Sequence, residues 1–431
     1  MNYKEAMEYI EFLQVLGSVP GLDNMINLCG KLGNPQDKLS FLHIAGTNGK
    51  GSVSAYLSAV LKEAGYRVGS YNSPTIREYR ERICIGGRMI SKNSFCELLT
   101  VVKEACDALV SEGKPHPTPF EVETALGFLY FAQKQCDYVI LECGMGGKLD
   151  ATNLIKNTKV AVLTPISMDH MTFLGSTLSQ IAENKAGIIK PGCMVVSAQQ
   201  SEEAAEVIER VCAGHSIRPV WVSTEEATKI RYGLKKQSFV YQGKLEVTIS
   251  LAGKYQIENA LLALKVIDVL RSEGVRISEK AVLKGFAAAK WSGRFEVLSE
   301  KPFFVADGAH NEAGARKLAQ SIQFYFTNKK IIYIMGVLKD KEYDKIIALT
   351  APFAQQIITV RTPDNPRALD AYELAQAVSR HHGSVTAAGS LEEAVEMSYL
   401  LADKDSVIVA FGSLSYLGRL MDILEKRQRK V

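Results

Sequence analysis

Residues 41–52 read FLHIAGTNGKGS, an apolar run followed directly by a glycine-rich loop and a lysine. In a strand–loop–helix context, backbone N–H groups, the helix dipole and a lysine converge on phosphate oxygens. The standard phosphate-loop pattern, G-x-x-x-x-G-K-[ST], is met only in part. Ile44 stands at the position of its first glycine, and Gly51 stands at the position of its hydroxyl residue. The stretch therefore predicts a phosphate-binding loop, and a strand-to-helix turn that merely needs small residues is the alternative.

Apolar runs of strand length alternate with segments of helical periodicity on both sides of this loop. The predicted strands include 41–45, 138–141, 160–163, 303–306, 331–335, 356–360 and 406–411. The predicted helices include 53–64, 121–135, 258–271, 312–325, 341–350, 370–380, 391–402 and 414–426. Continuous apolar strands separated by helices indicate parallel sheets covered on both faces. We expect a stretch rich in β-branched residues, 217–250, to add a small antiparallel element.

The chain has 431 residues, which exceeds one comfortable hydrophobic core. The strand–helix alternation restarts after KWSGRFEVLSEKPF, residues 290–303. We therefore expect the α/β class, with a P-loop mononucleotide-binding parallel-sheet domain over residues 1–296. A smaller Rossmann-like C-terminal α/β domain is expected over residues 297–431.

Composition excludes several classes of partner. The net charge is +4, from 51 basic and 47 acidic residues spread along the chain. This gives no basic stripe for nucleic acid and no polybasic membrane segment. The start, MNYKEAMEYI, lacks the plan of a signal peptide, and no apolar run reaches the ~18 residues of a membrane helix. Eight cysteines without C-x-x-C spacing predict reduced thiols in a cytoplasmic protein.

A carboxylate ends the second apolar strand, in VILECGMGGKLDATN at residues 139–153. At the carboxyl end of a parallel strand beside a phosphate loop, Glu142 is well placed to hold Mg²⁺. The alternative is a dinucleotide fingerprint, which this stretch matches poorly because the third glycine is missing at its spacing.

A third apolar strand leads to Asp169 and His170, and then to ENKAGIIKPG at residues 183–192. His170 could join a metal site, although a histidine after a strand is often structural. Asn184 and Lys185 resemble the guanine-reading N-K-x-D motif, but Gly187 stands where that motif needs aspartate. A lone lysine on a helix is usually a solvated surface charge. The residues that follow Lys185 are an alanine and a glycine, so we expect its amine to be neither shielded nor crowded by them.

The junction between the two predicted domains carries WSGRFE at residues 291–296 and DGAHN at residues 307–311. Arg294 could be a linker arginine and Asp307 a helix N-cap. The combination with His310 would also fit binding of an ATP phosphate and ribose.

Together these segments resemble the Mur ligase superfamily and, within it, the folylpolyglutamate synthases, which are often also dihydrofolate synthases. Ten motifs occur in the family's order: GTNGKGS, NSPTIREYRERI, TPFE, ECGMGGKLDATN, SMDHMTFLG, ENKAGIIKPG, YQIENA, GRFE, DGAHN and FGSLSYLG. They span about residues 40 to 415. Lys148 departs from the family, which mostly has arginine in G-G-R-L-D, so a bidentate contact there would change character.

The resemblance implies a role for each matching position. ATP would be bound by Gly46, Thr47, Asn48, Gly49, Lys50, Gly51, Ser52, Asn259, Arg294 and Asp307. Mg²⁺ would be held by Ser73, Glu142 and His170, with Ser52 as the alternative hydroxyl. The pterin-bearing substrate would meet Thr118, Pro119, Phe120 and Asp150. The catalytic residues would be Lys50, His310 and Lys185, the last carrying a carbamate.

The resemblance also implies an ATP-dependent ligase that adds L-glutamate to the carboxylate of a reduced folate through an acyl phosphate. Dihydropteroate would be a further acceptor, and we expect a monomer. Three alternatives stay open at this point: another Mur-type amide ligase, a non-ligating ATP-binding regulatory module, and a small-molecule kinase.

Overall fold

The computed structural model describes residues 1–14, 17 and 21–429, so residues 430–431 of the predicted second domain lie outside it. The chain divides into two compact units. The first comprises residues 1–228, 241–247 and 258–289, and the second comprises residues 229–240, 248–257 and 290–431. Both units are α/β with parallel sheets, so the predicted fold class is confirmed.

The sheet of the first unit has eight strands in the order β4-β3-β2-β5-β1-β6-β7-β8. The strands are β1 (Phe41–Ala45), β2 (Val68–Tyr71), β3 (Ile83–Ile85), β4 (Arg88–Met89), β5 (Tyr138–Glu142), β6 (Thr158–Leu163), β7 (Met194–Ser197) and β8 (Val220–Trp221). From β2 to β8 the neighbours run parallel. The β3 and β4 hairpin adds an antiparallel edge.

Helices cover both faces of this sheet. They are α1 (Tyr3–Leu13), α2 (Asp23–Lys31), α3 (Lys50–Glu63), α4 (Lys92–Ser111), α5 (Pro119–Gln133), α6 (Met171–Leu174), α7 (Leu178–Ala186), α8 (Glu202–Gly214), α9 (Gln256–Ser272) and α10 (Glu279–Ala288). One core packs residues such as Phe41 and Leu141 against α4 and α5, and another packs Ala161 and Leu163 against α7 and α8. All five residues of β1 are buried, as expected for a central parallel strand.

The register brings the carboxyl ends of four neighbouring strands to one edge. Ile44 of β1 lies opposite Glu142 of β5, and Tyr71 of β2 lies opposite Leu141. Ala45 lies opposite Leu163 of β6. The segments that follow β1, β2 and β6 therefore begin beside Glu142, at the edge where parallel sheets bind ligands.

A separate three-stranded sheet has the order β11-β10-β9. Its strands are β9 (Ala227–Arg231), β10 (Gln237–Tyr241) and β11 (Leu245–Ile249), which confirms the small β element predicted within residues 217–250.

The second unit has a six-stranded sheet in the order β12-β13-β17-β14-β15-β16. Its strands are β12 (Glu296–Glu300), β13 (Phe303–Ala306), β14 (Lys330–Met335), β15 (Gln356–Thr359), β16 (Val385–Ala387) and β17 (Ser406–Phe411). Its helices are α11 (Glu312–Tyr325), α12 (Tyr343–Thr350), α13 (Ala371–Ser379), α14 (Leu391–Leu401) and α15 (Leu417–Gln428). All neighbours run parallel except β12, which is antiparallel to β13. Across the residues that the structure describes, no helix combines the length and apolar character that crossing a bilayer requires.

Candidate active site

The glycine loop connects β1 to α3, as the sequence predicted, and α3 begins at Lys50. Two of its glycines have positive φ, +144° at Gly46 and +92° at Gly49. A Cβ atom at Gly46 would collide with the Thr164 side chain, and one at Gly49 would lie 2.5 Å from Asn259 Oδ1. Only glycine fits at either position, because both the backbone angle and the space exclude a side chain.

Two lysine amines converge on the carbonyl oxygen of Gly46. Nζ of Lys185 lies 2.8 Å from that oxygen, and Nζ of Lys50 lies 3.3 Å from it and 3.4 Å from the carbonyl of Thr47. The expectation of an unshielded amine at Lys185 is wrong, because its side chain is only 3% exposed. Burial, helped by the charge of Lys50, lowers the pKa of Lys185 to about 7.

Glu142 is the last residue of β5 and is 3% exposed. Its carboxylate lies 3.9 Å from Nζ of Lys50. Ser73 lies two residues after β2, whose last residue, Tyr71, is opposite Leu141, the residue before Glu142. The preceding residue, Asn72, accepts a 2.6 Å hydrogen bond from the Ser54 hydroxyl of α3, which ties this segment to the phosphate loop.

His170 is the N-cap residue before α6 and lies in the left-handed region, with φ +51°. Asp169, for which no role was predicted, is buried and accepts the His170 backbone N–H at 2.9 Å. Its carboxylate also lies 3.9 Å from the imidazole Nε2. Within the described part of the chain, no group of three or more His, Cys, Asp or Glu side chains could hold a metal ion by itself.

The loop at residues 143–150 lies between α5 and α7. A Cβ atom at Gly144 would lie 2.5 Å from the Phe120 ring, and one at Gly147 would lie 2.8 Å from the carbonyls of Asn184 and Lys185. These glycines allow the loop to contact both the predicted substrate segment and the helix that carries Lys185.

Asp150 is buried and stabilises this loop from within. Its Oδ2 accepts the Met145 N–H at 2.8 Å, and its Oδ1 accepts the Thr152 N–H at 3.0 Å and hydroxyl at 2.5 Å. The Thr152 hydroxyl also lies 2.9 Å from Nε2 of His43 in β1. Burial lowers the pKa of His43 to about 3. Neither His43 nor Thr152 was predicted as a site residue, since a histidine within an apolar strand is typical of a core position.

The predicted substrate segment forms the start of α5. Thr118 is the N-cap and its hydroxyl accepts the Glu121 N–H at 3.4 Å, while Glu121 accepts the Thr118 N–H at 2.7 Å. This capping box explains the glutamate of TPFE. The Phe120 ring lies 6.0 Å from the Tyr71 ring, and Pro119 is the first helical residue.

In the second unit, Asp307 links three segments through its buried carboxylate. Oδ2 accepts the Phe295 N–H at 2.8 Å and the Tyr255 hydroxyl at 3.0 Å, and Oδ1 accepts the Ala309 N–H at 2.8 Å. Burial raises the pKa of Asp307, and the charge of Arg294 opposes that rise. The alternative of a helix N-cap is wrong for Asp307.

The N-cap of α11 is Asn311, which accepts the Gly314 N–H at 2.8 Å. Arg294 packs against Gly308, where a Cβ atom would collide with its guanidinium. Nδ1 of His310 lies 2.8 Å from the Gly308 carbonyl, and a carbonyl only accepts, so Nδ1 carries a proton and donates it to that oxygen.

Two family models match the chain. The Mur ligase middle domain matches residues 44–267, and the Mur ligase glutamate ligase domain matches residues 293–414. Among curated proteins, the dihydrofolate synthase/folylpolyglutamate synthase of Bacillus subtilis is 37% identical over 87% of this chain and 88% of its own. The folylpolyglutamate synthase of Lacticaseibacillus casei is 34% identical over 86% and 87%.

Solved structures of folylpolyglutamate synthases also match this chain over nearly its whole length. Mycobacterium tuberculosis folylpolyglutamate synthase complexed with ADP and AMPPCP has a TM-score of 0.88 at 31% identity and covers 97% of this chain and 98% of that one. A complex of folylpolyglutamate synthase with AMPPCP and folate has a TM-score of 0.85 at 29% identity, covering 98% and 100%. The E. coli FolC complex with DHPP and ADP has a TM-score of 0.86 at 27% identity, covering 98% of each chain. This chain therefore belongs to the Mur ligase family, in the group of the folylpolyglutamate and dihydrofolate synthases.

Proposed function

We propose that this protein is an ATP-dependent acid–amino-acid ligase that adds L-glutamate to the carboxylate of a reduced folate. The observation that carries the proposal is the buried amine of Lys185, 2.8 Å from the Gly46 carbonyl of a phosphate-type loop. A nucleotide site needs the loop but not this second amine. The relatives named folylpolyglutamate synthase support the choice of acceptor.

ATP binds through the loop of Gly46, Thr47, Asn48, Gly49, Lys50, Gly51 and Ser52, and through Asn259, Arg294 and Asp307. The loop precedes the N-terminus of α3, where backbone N–H groups and the helix dipole favour phosphate. Lys50 at that terminus adds a cation against the phosphate charge. Asn259 supports this assignment because its amide lies against Gly49.

Mg²⁺ is held by Ser73, Glu142 and His170. The donor set fits, because the carboxylate of Glu142 and the hydroxyl of Ser73 supply the oxygen ligands that this cation prefers. Sheet register supports the pairing of these two residues at one edge. Bound Mg²⁺ would neutralise charge on the phosphates of ATP.

Lys185 carries a carbamate, formed when its neutral amine attacks CO₂ and loses a proton. A pKa of about 7 keeps a large fraction of the amine neutral and nucleophilic at physiological pH. The product is an anion in a site that already contains the Lys50 cation, which lies against the same Gly46 carbonyl.

The acceptor binds at Thr118, Pro119, Phe120 and Asp150. The Phe120 ring packs on Gly144, so the start of α5 and the loop at residues 143–150 form one surface. The second acceptor we propose is dihydropteroate, whose ligation to glutamate gives dihydrofolate. The Bacillus subtilis relative carries both activities in its name, and the E. coli structure was solved with DHPP.

The reaction has two steps. The acceptor carboxylate attacks the γ-phosphorus of ATP, which gives an acyl phosphate and ADP. The amine of L-glutamate then attacks the acyl carbon, and the amide forms with release of phosphate and a proton. His310, with Nδ1 oriented by the Gly308 carbonyl, acts as a catalytic residue through Nε2.

Three further assignments belong to the same proposal. Residues 1–296 form the ATP-binding P-loop ligase domain and residues 297–431 the glutamate-ligase domain, which the two family matches support. The protein is a monomer, which size-exclusion chromatography with light scattering would check. It is cytoplasmic, since all eight cysteines are free thiols.

ADP release from the purified protein tests the function. ATP, Mg²⁺ and L-glutamate are supplied with tetrahydrofolate or dihydropteroate, and the masses of the products are measured by mass spectrometry. We expect ADP release that requires both glutamate and acceptor, and a product heavier by one glutamyl residue. Release without glutamate would favour a non-ligating ATP-binding module. Release only with another carboxylate acceptor would favour a different Mur-type amide ligase.

A further inference from the structure

We propose that His43 and Thr152 form a buried hydrogen-bond relay that positions Asp150, and with it the loop at residues 143–150, for the pterin-bearing acceptor. His43 is then a positioning residue for substrate binding, although it lies within the central strand β1. The inference rests on the proposed function, because it takes this loop as part of the acceptor site.

The direction of each hydrogen bond follows from the donors around Asp150. Its carboxylate receives two backbone N–H groups, from Met145 and Thr152, and is thereby an acceptor. The Thr152 hydroxyl lies 2.5 Å from Oδ1 and 3.5 Å from Cys143 Sγ, and it donates its single proton to the carboxylate, which is the nearer and stronger acceptor. Its oxygen can then only accept from Nε2 of His43, at 2.9 Å. The order of donation is therefore His43 to Thr152 to Asp150.

The other ring nitrogen shows why a purely structural role in the core does not explain a histidine at position 43. Nδ1 of His43 is buried and has no hydrogen-bond partner among the residues that the structure describes. A buried polar atom without a partner is unfavourable, so an apolar residue would suit a purely structural position better. The Nε2–H group is what a leucine could not supply. Cys143 Sγ, 3.1 Å from the same Nε2, adds a second weak contact at the start of the loop.

The relay reaches the acceptor surface through the loop itself. Asp150 orients the Met145 amide, and the adjacent Gly144 packs against the Phe120 ring. A shift of the Asp150 carboxylate would therefore change the contact between the loop and the start of α5. The phosphate loop begins at Gly46, three residues after His43, but the relay runs from His43 to Thr152 and Asp150 and not to that loop. We therefore expect acceptor binding to change more than ATP binding.

Four substitutions test the relay. His43→Leu and Thr152→Val remove one member each with little change of shape, whereas His43→Gln and Thr152→Ser keep a donor at a similar position. Tyr56→Phe is the matched control, because it removes a buried hydroxyl of α3 that has no partner in the described structure. Each folded variant is assayed for dihydropteroate binding, for KM of acceptor and of ATP, and for kcat.

We expect His43→Leu and Thr152→Val to raise the acceptor KM and Kd about tenfold, with the KM of ATP changed less than about twofold. His43→Gln, Thr152→Ser and Tyr56→Phe should stay near wild type. Equal acceptor affinity in wild type and in either folded relay variant would overturn the relay while leaving the proposed function intact. Wild-type protein that binds no pteroate or folate would overturn both. If His43→Leu does not fold, Thr152→Val and the two conservative variants still decide the outcome.

Discussion

The amine of Lys185 lies 2.8 Å from the carbonyl oxygen of Gly46, so a side chain from α7 contacts the first residue of the loop that follows β1. The two residues are 139 positions apart in sequence. Sheet order explains the contact, because β1 and β6 are neighbours and α7 follows β6. The loop and the amine are therefore one structural unit, and changes at Lys185 should act on the chemistry of the loop.

Lys185→Ala should abolish amide synthesis while the fold is retained. The variant removes the proposed carbamate and leaves the Gly46 carbonyl to Lys50 alone. Glutamate-dependent ADP release and circular dichroism measure the two parts of this expectation. Lys159→Ala, at an exposed lysine of β6, is the matched control and should retain full activity. Near-normal ligation by well-folded Lys185→Ala protein would contradict the assignment.

Lys185 should also make stability rise with pH in alkaline solution. Its pKa is about 7 in the folded chain, against 10.5 ordinarily, so between these values the unfolded chain binds a proton that the folded chain lacks. The free energy of unfolding then increases with pH across this window, and this dependence on pH is absent below pH 7, where both states bind the proton. Urea unfolding at pH 7 and pH 9, without CO₂, should show a smaller increase for Lys185→Met than for wild type. The same increase in both proteins would argue against a depressed pKa.

Glu142→Ala and His170→Ala should each raise the Mg²⁺ concentration needed for half-maximal activity. We expect an increase of about tenfold or more, because each variant removes a proposed metal ligand. Glu142 should have the larger effect, because its buried carboxylate also lies 3.9 Å from the Lys50 amine. Activity is titrated with Mg²⁺ at fixed ATP. Unchanged titrations in both variants would remove these residues from the metal site.

The fold was largely predictable because the central strands of its two large sheets are buried on both faces. Phe41–Ala45 and Ser406–Phe411 were predicted with the bounds that the structure has, since each is a continuous apolar run. The strands β3 and β4 at the sheet edge were not predicted, because runs of three and two residues are too short to give that signal.

The site was predictable where residues lie at the ends of strands, and less so where distant segments meet. Glu142 and the glycine loop follow from local pattern alone. The burial of Lys185, the Asp169 support of His170 and the partnership of Asp150 with His43 depend on tertiary packing. The expected open setting of Lys185 was wrong for this reason, since Ala186 and Gly187 are small but the loop after β1 covers the amine.

Gly144→Ala should weaken acceptor binding more than ATP binding. The new methyl group would lie 2.5 Å from the Phe120 ring, so the ring or the loop must move. We expect a rise in the KM for folate of about tenfold with a smaller change for ATP. Gly30→Ala is the control, because that glycine lies in α2 with open space around it, and the change should stabilise by about 0.5–1 kcal/mol. Equal effects on both KM values would show that Gly144 acts through general stability.

Asp307→Asn should destabilise the second unit, because an amide at this position meets three donors. Phe295, Tyr255 and Ala309 all donate to the Asp307 carboxylate, and an asparagine NH₂ group would face at least one of them. Lost hydrogen bonds to a charged group cost about 1.5–3 kcal/mol each, so we expect a loss of about 2 kcal/mol or more in urea unfolding.

Tyr255→Phe tests the same cluster with a smaller change. It removes one donor and leaves the two backbone donors in place, so the loss of stability should be smaller, about 1–2 kcal/mol. If Asp307 positions Arg294 for ATP, the KM of ATP should rise in both variants and in the same order as the loss of stability. An Asp307→Asn enzyme with wild-type stability and unchanged KM for ATP would show that the carboxylate neither stabilises this unit nor serves the nucleotide.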